Sequence, residues 1–246
     1  MKKRLNIAWM GIAYISIVVV TYLTMVGCAV QPVKVVPTAP PPEVNLTVRS
    51  YPTFSWDKDP SRVPWGHFLY DKISDELMPS FDKALDAGRF CPKYASLIQD
   101  QRAQMWVEMF IGMMLYESSW KPTSRMVETT MSIDPVTGHQ VASEGLLQLS
   151  YQDVPNYAES LIPGFKQKCG IDWSKDSGLA TTDPRKTIFD PYINMTCGSL
   201  IMANQIDRKG YVILSSGVYW AVLRDGGKYR MIKEITDRTK ALSFCQ

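Results

Sequence analysis

The stretch "QRAQMWVEMFIGMMLYESSW", residues 101–120, constrains the fold more than any other part of the chain. Between Trp106 and Tyr116 its only charge is Glu108. Apolar residues fall on every face at helical spacing, and a helix with no polar face has to be surrounded by protein. Other elements must therefore wrap one central helix, and 246 residues, 46% of them apolar, suffice for such a core. The run then ends in Glu117, which shares a helical face with Phe110, Met113 and Met114. A carboxylate on an apolar face is costly unless it is paired or kept neutral. Glu117 is thus satisfied by a partner, bent out to water at the helix end, or placed for chemistry.

The flanking segments read as the wrapping. "ISDELMPSFDKALDAG" has helical spacing and is expected to end at Gly88, with Cys91 and Pro92 beyond it. Pro122 stops any continuation of the central helix. "VETTMSIDPVTGHQVA" changes character: β-branched residues flank "DPVTG", the composition of a turn between short strands. "GLLQLSYQDVPNYAESLI" returns to helix-like spacing until Pro163. "PYINMTCGSLIMANQIDRKG" predicts a helix starting at Asp190 or Pro191 and stopping before Gly210. The segment from Ser215 to Phe244 supplies one or two more. The expected class is mainly α, with a small β-hairpin beside the central helix.

The N-terminus is set apart. The formal charge of +3 equals the contribution of Lys2, Lys3 and Arg4, so the remainder is balanced, which argues against a nucleic-acid binder. Those cations precede 23 mostly apolar residues, Leu5–Gly27, and then Cys28. A basic start followed by an apolar run reads as an export leader, although this one is also long enough to stay as a membrane anchor. "MVGC" resembles a bacterial lipobox and implies lipidation at Cys28, with simple secretion as the third route. Ala29 is not the aspartate that retains lipoproteins in the inner membrane, so an outer-membrane lipoprotein on the periplasmic face is expected. Residues 29–48 form a Pro-rich linker, with five prolines between Ala29 and Asn45, and the folded domain is expected over 49–246.

Export fits the cysteines. Besides Cys28 the chain has Cys91, Cys169, Cys197 and Cys245, enough for two disulfides in an oxidising compartment. Of three connectivities, Cys169–Cys197 closes a local loop and leaves Cys91–Cys245 to tie down the C-terminus. The chain has only two histidines, His67 and His139, and no CxxC pair, so neither a zinc site nor any cofactor is expected.

A glutamate ending a buried helix suits glycoside cleavage, because desolvation keeps a carboxyl protonated and ready to donate to a leaving oxygen. Four motifs follow in order: "ESSWKP" (117–122), "SEGLLQLS" (143–150), "DPYINMTCGSLIM" (190–202) and "GVYWAVL" (217–223). Together they resemble the lytic transglycosylases of the soluble type and goose-type lysozymes, over about residues 105–225. The matches are Glu117 and Ser118 to the first motif, Gly145, Leu146, Leu147 and Gln148 to G-L-M-Q, and Asp190, Pro191, Asn194 and Gly198 to a D-P-x-x-N-x-x-x-G helix.

The resemblance implies a lysozyme-like α-domain cutting peptidoglycan strands at the β-1,4 bond from N-acetylmuramic acid to N-acetylglucosamine. It implies Glu117 as the catalytic acid and later base, and Gln148 as the amide that binds the sugar. Ser118 lies near the acid or is simply a helix-end hydroxyl. Tyr219 matches a tyrosine near the acid, or is a core residue. Two departures stand out: Trp220 replaces the asparagine that should follow Tyr219, and Ser150 replaces the aspartate of goose-type lysozymes. Hydrolysis needs a second carboxylate to hold water. With Ser150 in that place the expectation leans to a transglycosylase forming 1,6-anhydro ends, although Glu128 or Glu144 could still hold a water in the substrate-facing stretch. A non-catalytic glycan-binding lipoprotein is the reading from another class.

Overall fold

The computed structural model describes residues 49–157 and 162–246. The leader, Cys28 and the Pro-rich linker lie outside the described residues. The elements follow one another as helices α1 (Val63–Asp71), α2 (Met78–Phe81), α3 (Ala87–Phe90) and α4 (Gln99–Ser118), strands β1 (Arg125–Val127) and β2 (Ala142–Glu144), then helices α5 (Asp153–Asn156), α6 (Phe165–Cys169), α7 (Trp173–Asp176), α8 (Pro191–Lys209) and α9 (Ile232–Lys240). The class is mainly α with a small antiparallel hairpin, as the sequence leads one to expect.

Helix α4 is the buried axis: every residue from Met105 to Met114 is buried. It packs against α9 and α1, while α8 packs against α1, α2 and α6. Trp106 lies against Phe81, Phe90 and Tyr94, and its indole N–H donates to the Tyr94 hydroxyl at 2.7 Å. That bond pairs the buried indole donor of Trp106. Glu108, the lone charge in that buried run, accepts from the N–H and hydroxyl of Ser55, both at 2.7 Å. A buried carboxylate is thereby spent on holding the segment before α1 against the axis. Burial still raises the pKa of Glu108.

Helix α8 begins and ends where its sequence signals place it. Asp190 caps it by accepting from the N–H groups of Tyr192 and Ile193, Pro191 occupies the first turn, and Gly210 closes it at φ +73°. The "DPVTG" turn also forms, with Asp134 accepting from Val136 and Thr137 N–H and Gly138 at φ +71°. Both expected disulfides are present, Cys91–Cys245 and Cys169–Cys197. The second joins the end of α6 to α8, a closed loop of 28 residues in sequence separation. Replacing both Cys169 and Cys197 with alanine should cost about 2–4 kcal/mol, read as a lower urea midpoint with an intact Cys91–Cys245 bridge.

Two expectations need correction. The first helical segment starts at Val63 rather than near Ile73, continues through a π-helical stretch (Lys72–Leu77) into α2, and stops at Phe81. Gly88, expected as its terminator, lies inside α3. Leu85 N–H instead bonds the carbonyl of Gly210, so a tertiary partner breaks the helix where local spacing would continue it. The segment from Gly145 to Asn156 is not a continuous helix either: it is a buried turn followed by the four-residue α5.

Candidate active site

Helix α4 ends abruptly just after Glu117. Ser119 and Trp120 both take left-handed backbone angles, φ 54° and 58°, which side chains with a Cβ rarely adopt. The end is held in that shape by its neighbours. Trp120 N–H reaches the Met114 carbonyl, its indole N–H donates to the Ile111 carbonyl at 2.9 Å, and the guanidiniums of Arg62 and Arg238 lie over its ring. Ser118 is buried and its hydroxyl donates to the Met114 carbonyl at 2.9 Å, the bond of a helix-end serine. Gln148 is the remaining non-glycine residue with positive φ among the described residues, at 50°. Strain of this kind collects at sites where the surroundings over-determine the backbone.

Glu117 itself is largely enclosed. Its Oε1 is buried with no hydrogen-bond partner. Burial first, and then the negative charge of Glu128, push its carboxyl up to about 7. Such a group is protonated at mildly acidic pH and able to give the proton away near neutrality.

Glu128 and Glu144, equivalent on sequence grounds, part company on the hairpin. Strands β1 and β2 pair with Arg125 opposite Glu144 and Met126 opposite Ser143. Successive side chains of a strand point to opposite faces, so Ser143 and Glu144 serve different sides. The Ser143 hydroxyl donates to Glu128 Oε1 at 2.5 Å, holding that carboxylate on the side whose charge reaches Glu117. Glu144 is only 2% exposed, and its Oε1 accepts from Lys186 Nζ at 2.7 Å and Arg125 Nε at 3.0 Å. Lys186 is 4% exposed and also sits over the rings of Phe189 and Tyr151. The expectation that Glu144 meets substrate does not fit this arrangement, because its carboxylate is committed to an interior ion pair.

The "GLLQ" turn is clamped from both sides. Leu147 N–H donates to Asn194 Oδ1 at 2.8 Å, and the Leu147 carbonyl accepts from the Trp220 indole at 2.8 Å. Asn194 Nδ2 donates to the carbonyls of Ile188 and Glu144. Gly145 sits at φ +82°, where a Cβ would lie 2.1 Å from Asn194 Nδ2, and a Cβ on Gly198 would lie 2.3 Å from Leu147 Cδ1. Much of the third motif is therefore packing that holds the second. Trp220, the departure from the expected asparagine, takes a structural part in the same clamp. Gln148 is buried, with its side-chain amide donating to the carbonyls of Gly145 at 2.8 Å and Ser124 at 3.4 Å.

Tyr219 belongs to the site through a carboxylate that lies outside the four motifs. Its hydroxyl donates to Asp153 Oδ2 at 2.5 Å, and its phenol is raised well above the usual range by burial, with the charges of Asp153 and Glu117 adding to the effect. Asp153 also accepts from the N–H and hydroxyl of Ser150, at 2.7 and 3.1 Å. Its own carboxyl is pushed up to about 6, chiefly by burial. "SYQD" has the S-x-x-D form of a capping box, the signal that would have found it. Ser150 replaces the expected aspartate, and Asp153 returns a carboxylate to its side.

No family profile and no curated protein sequence matches the chain. Three solved structures of the protein named Bd0314 DslA do, each at 27% identity. The wild-type form superposes with a TM-score of 0.60 over 79% of this chain and 98% of that one. The two others, TM-scores 0.59 and 0.61, are glutamate-to-glutamine variants at positions eleven residues apart, and cover 78% and 81% of this chain. The chain is thus similar in fold to DslA across nearly the whole length of that protein.

Proposed function

We propose that the chain cuts the glycan strands of peptidoglycan at the β-1,4 bond between N-acetylmuramic acid and N-acetylglucosamine, with Glu117 as the general acid. The observation that carries this reading is the enclosed, unpartnered carboxyl of Glu117, raised to about 7 and facing the charge of a second carboxylate. The four motifs support the choice of substrate. Glu117 and Glu128 are eleven residues apart, the spacing of the two glutamates replaced in the DslA variants.

Glu128 also moves the mechanism. On sequence grounds Ser150 removes one carboxylate, and the expectation leans to a transglycosylase. Glu128, fixed by Ser143, supplies another and fits the role of holding an attacking water, so hydrolysis is the favoured outcome. In that reaction protonated Glu117 donates to the glycosidic oxygen while Glu128 takes a proton from water attacking C1. The leader and Cys28 add that the enzyme is exported and lipid-anchored at the envelope.

Mass spectrometry of fragments released from purified cell walls tests this. Hydrolysis gives reducing ends, and Glu128→Gln should then lower release by on the order of a hundredfold. Fragments lighter by one water carry 1,6-anhydro ends and would restore the transglycosylase. Wall binding with no fragments at all would leave a glycan-binding protein.

A further inference from the structure

Tyr219 and Asp153 define an element of the site that the acid–base pair does not use. A phenol has one proton to donate. Here that proton is directed to Asp153 Oδ2, which is held in turn by the Ser150 N–H and hydroxyl. Asp153 lies at the start of α5, and Tyr219 is packed edge-on to Trp220, whose indole is fixed on Leu147. Neither partner is free to turn. The charged and titratable groups felt by the pair are Glu117, Tyr157 and Asp134.

We propose that Asp153 is a positioning residue that sets the hydrogen-bonding polarity of Tyr219. With its proton committed, the phenolic oxygen offers only lone pairs, beside Glu117. It then accepts from a hydroxyl of the bound glycan and cannot donate to one. A sugar group that is only an acceptor at this position is left unpaired and is selected against. The inference rests on the proposed glycan substrate for its ligand, while the polarity of Tyr219 stands on the geometry alone.

Two measurements on the whole protein test it. The first follows Tyr219 by ring-labelled tyrosine NMR, with the signal assigned from Tyr219→Phe. The phenol should resist ionisation in the wild type, and in Asp153→Asn its midpoint should fall by at least about one pH unit as the adjacent charge is lost. An unchanged midpoint overturns the proposed coupling. The second measures co-sedimentation with purified walls in a Glu117→Gln background, so that cleavage plays no part. Tyr219→Phe should weaken binding about tenfold by removing the acceptor, Asp153→Leu should weaken it by freeing the phenol to turn and donate, and the two together should cost no more than Tyr219→Phe alone. Additive losses, or no loss from Tyr219→Phe, overturn the inference. If Asp153→Leu does not fold, the titration in Asp153→Asn and the binding of Tyr219→Phe decide. A wild type that binds walls without cutting them removes the cleavage reading and leaves this inference standing.

Discussion

Replacing Glu117 with glutamine should slow wall cleavage by on the order of a hundredfold or more while making the fold more stable at neutral pH. The two effects share one cause. Burial and the charge of Glu128 raise the carboxyl from its ordinary value of 4.5 to about 7. The folded protein then holds a proton that the unfolded chain has already released, so stability falls as pH rises from about 4.5 to 7. Above that window the charged carboxylate costs about 1–3 kcal/mol, a range that allows for its partial exposure. Glutamine keeps the shape, carries no charge and cannot donate the proton. Urea unfolding should therefore show Glu117→Gln more stable than wild type at pH 8 and equal to it near pH 4. A variant that cleaves walls normally would remove Glu117 from catalysis. Equal stability at both pH values would mean that the carboxylate is solvated after all.

The parts of this fold that were legible in the sequence are those governed by local chemistry. Asp190 and Gly210 bound α8 because a capping carboxylate and a left-handed glycine act within one helical turn. The α4 axis could be read because a run with no polar face has one solution. The bridge Cys169–Cys197 followed from loop size. What could not be read depends on partners distant in the chain. The apolar spacing at Leu146, Leu147 and Leu149 mimics a helix, yet it belongs to a turn buried on all sides and clamped by Asn194 and Trp220. The difference between Glu128 and Glu144 required the strand register, since alternation assigns faces only once the pairing is known. Asp153 was hidden for a related reason: its link to Tyr219 spans 66 residues.

Glu144→Gln is expected to destabilise the protein by about 3–5 kcal/mol and to leave the chemistry of folded molecules alone. The argument turns on Lys186. Its ammonium is 4% exposed, and Glu144 Oε1 is its carboxylate partner at 2.7 Å, with a long contact of 3.4 Å to the Thr181 carbonyl. An amide in place of the carboxylate leaves a buried cation without a counter-charge. Arg125 suffers less, because its side chain is 26% exposed and can take water instead. The damage should therefore be recoverable by removing the cation as well. Adding Lys186→Met to Glu144→Gln should restore a substantial part of the loss, since an uncharged pair no longer has a desolvation cost to offset. Urea midpoints of the two single variants and the double variant test this directly. Cleavage measured well below the melting temperature separates the structural role from the catalytic one. If Glu144→Gln unfolds like wild type but no longer binds or cuts walls, Glu144 faces the glycan and the ion pair with Lys186 is incidental. If it melts early yet cuts normally when folded, the hairpin divides its two glutamates as the register implies: Glu128 toward the acid, and Glu144 toward the core that keeps the hairpin in place.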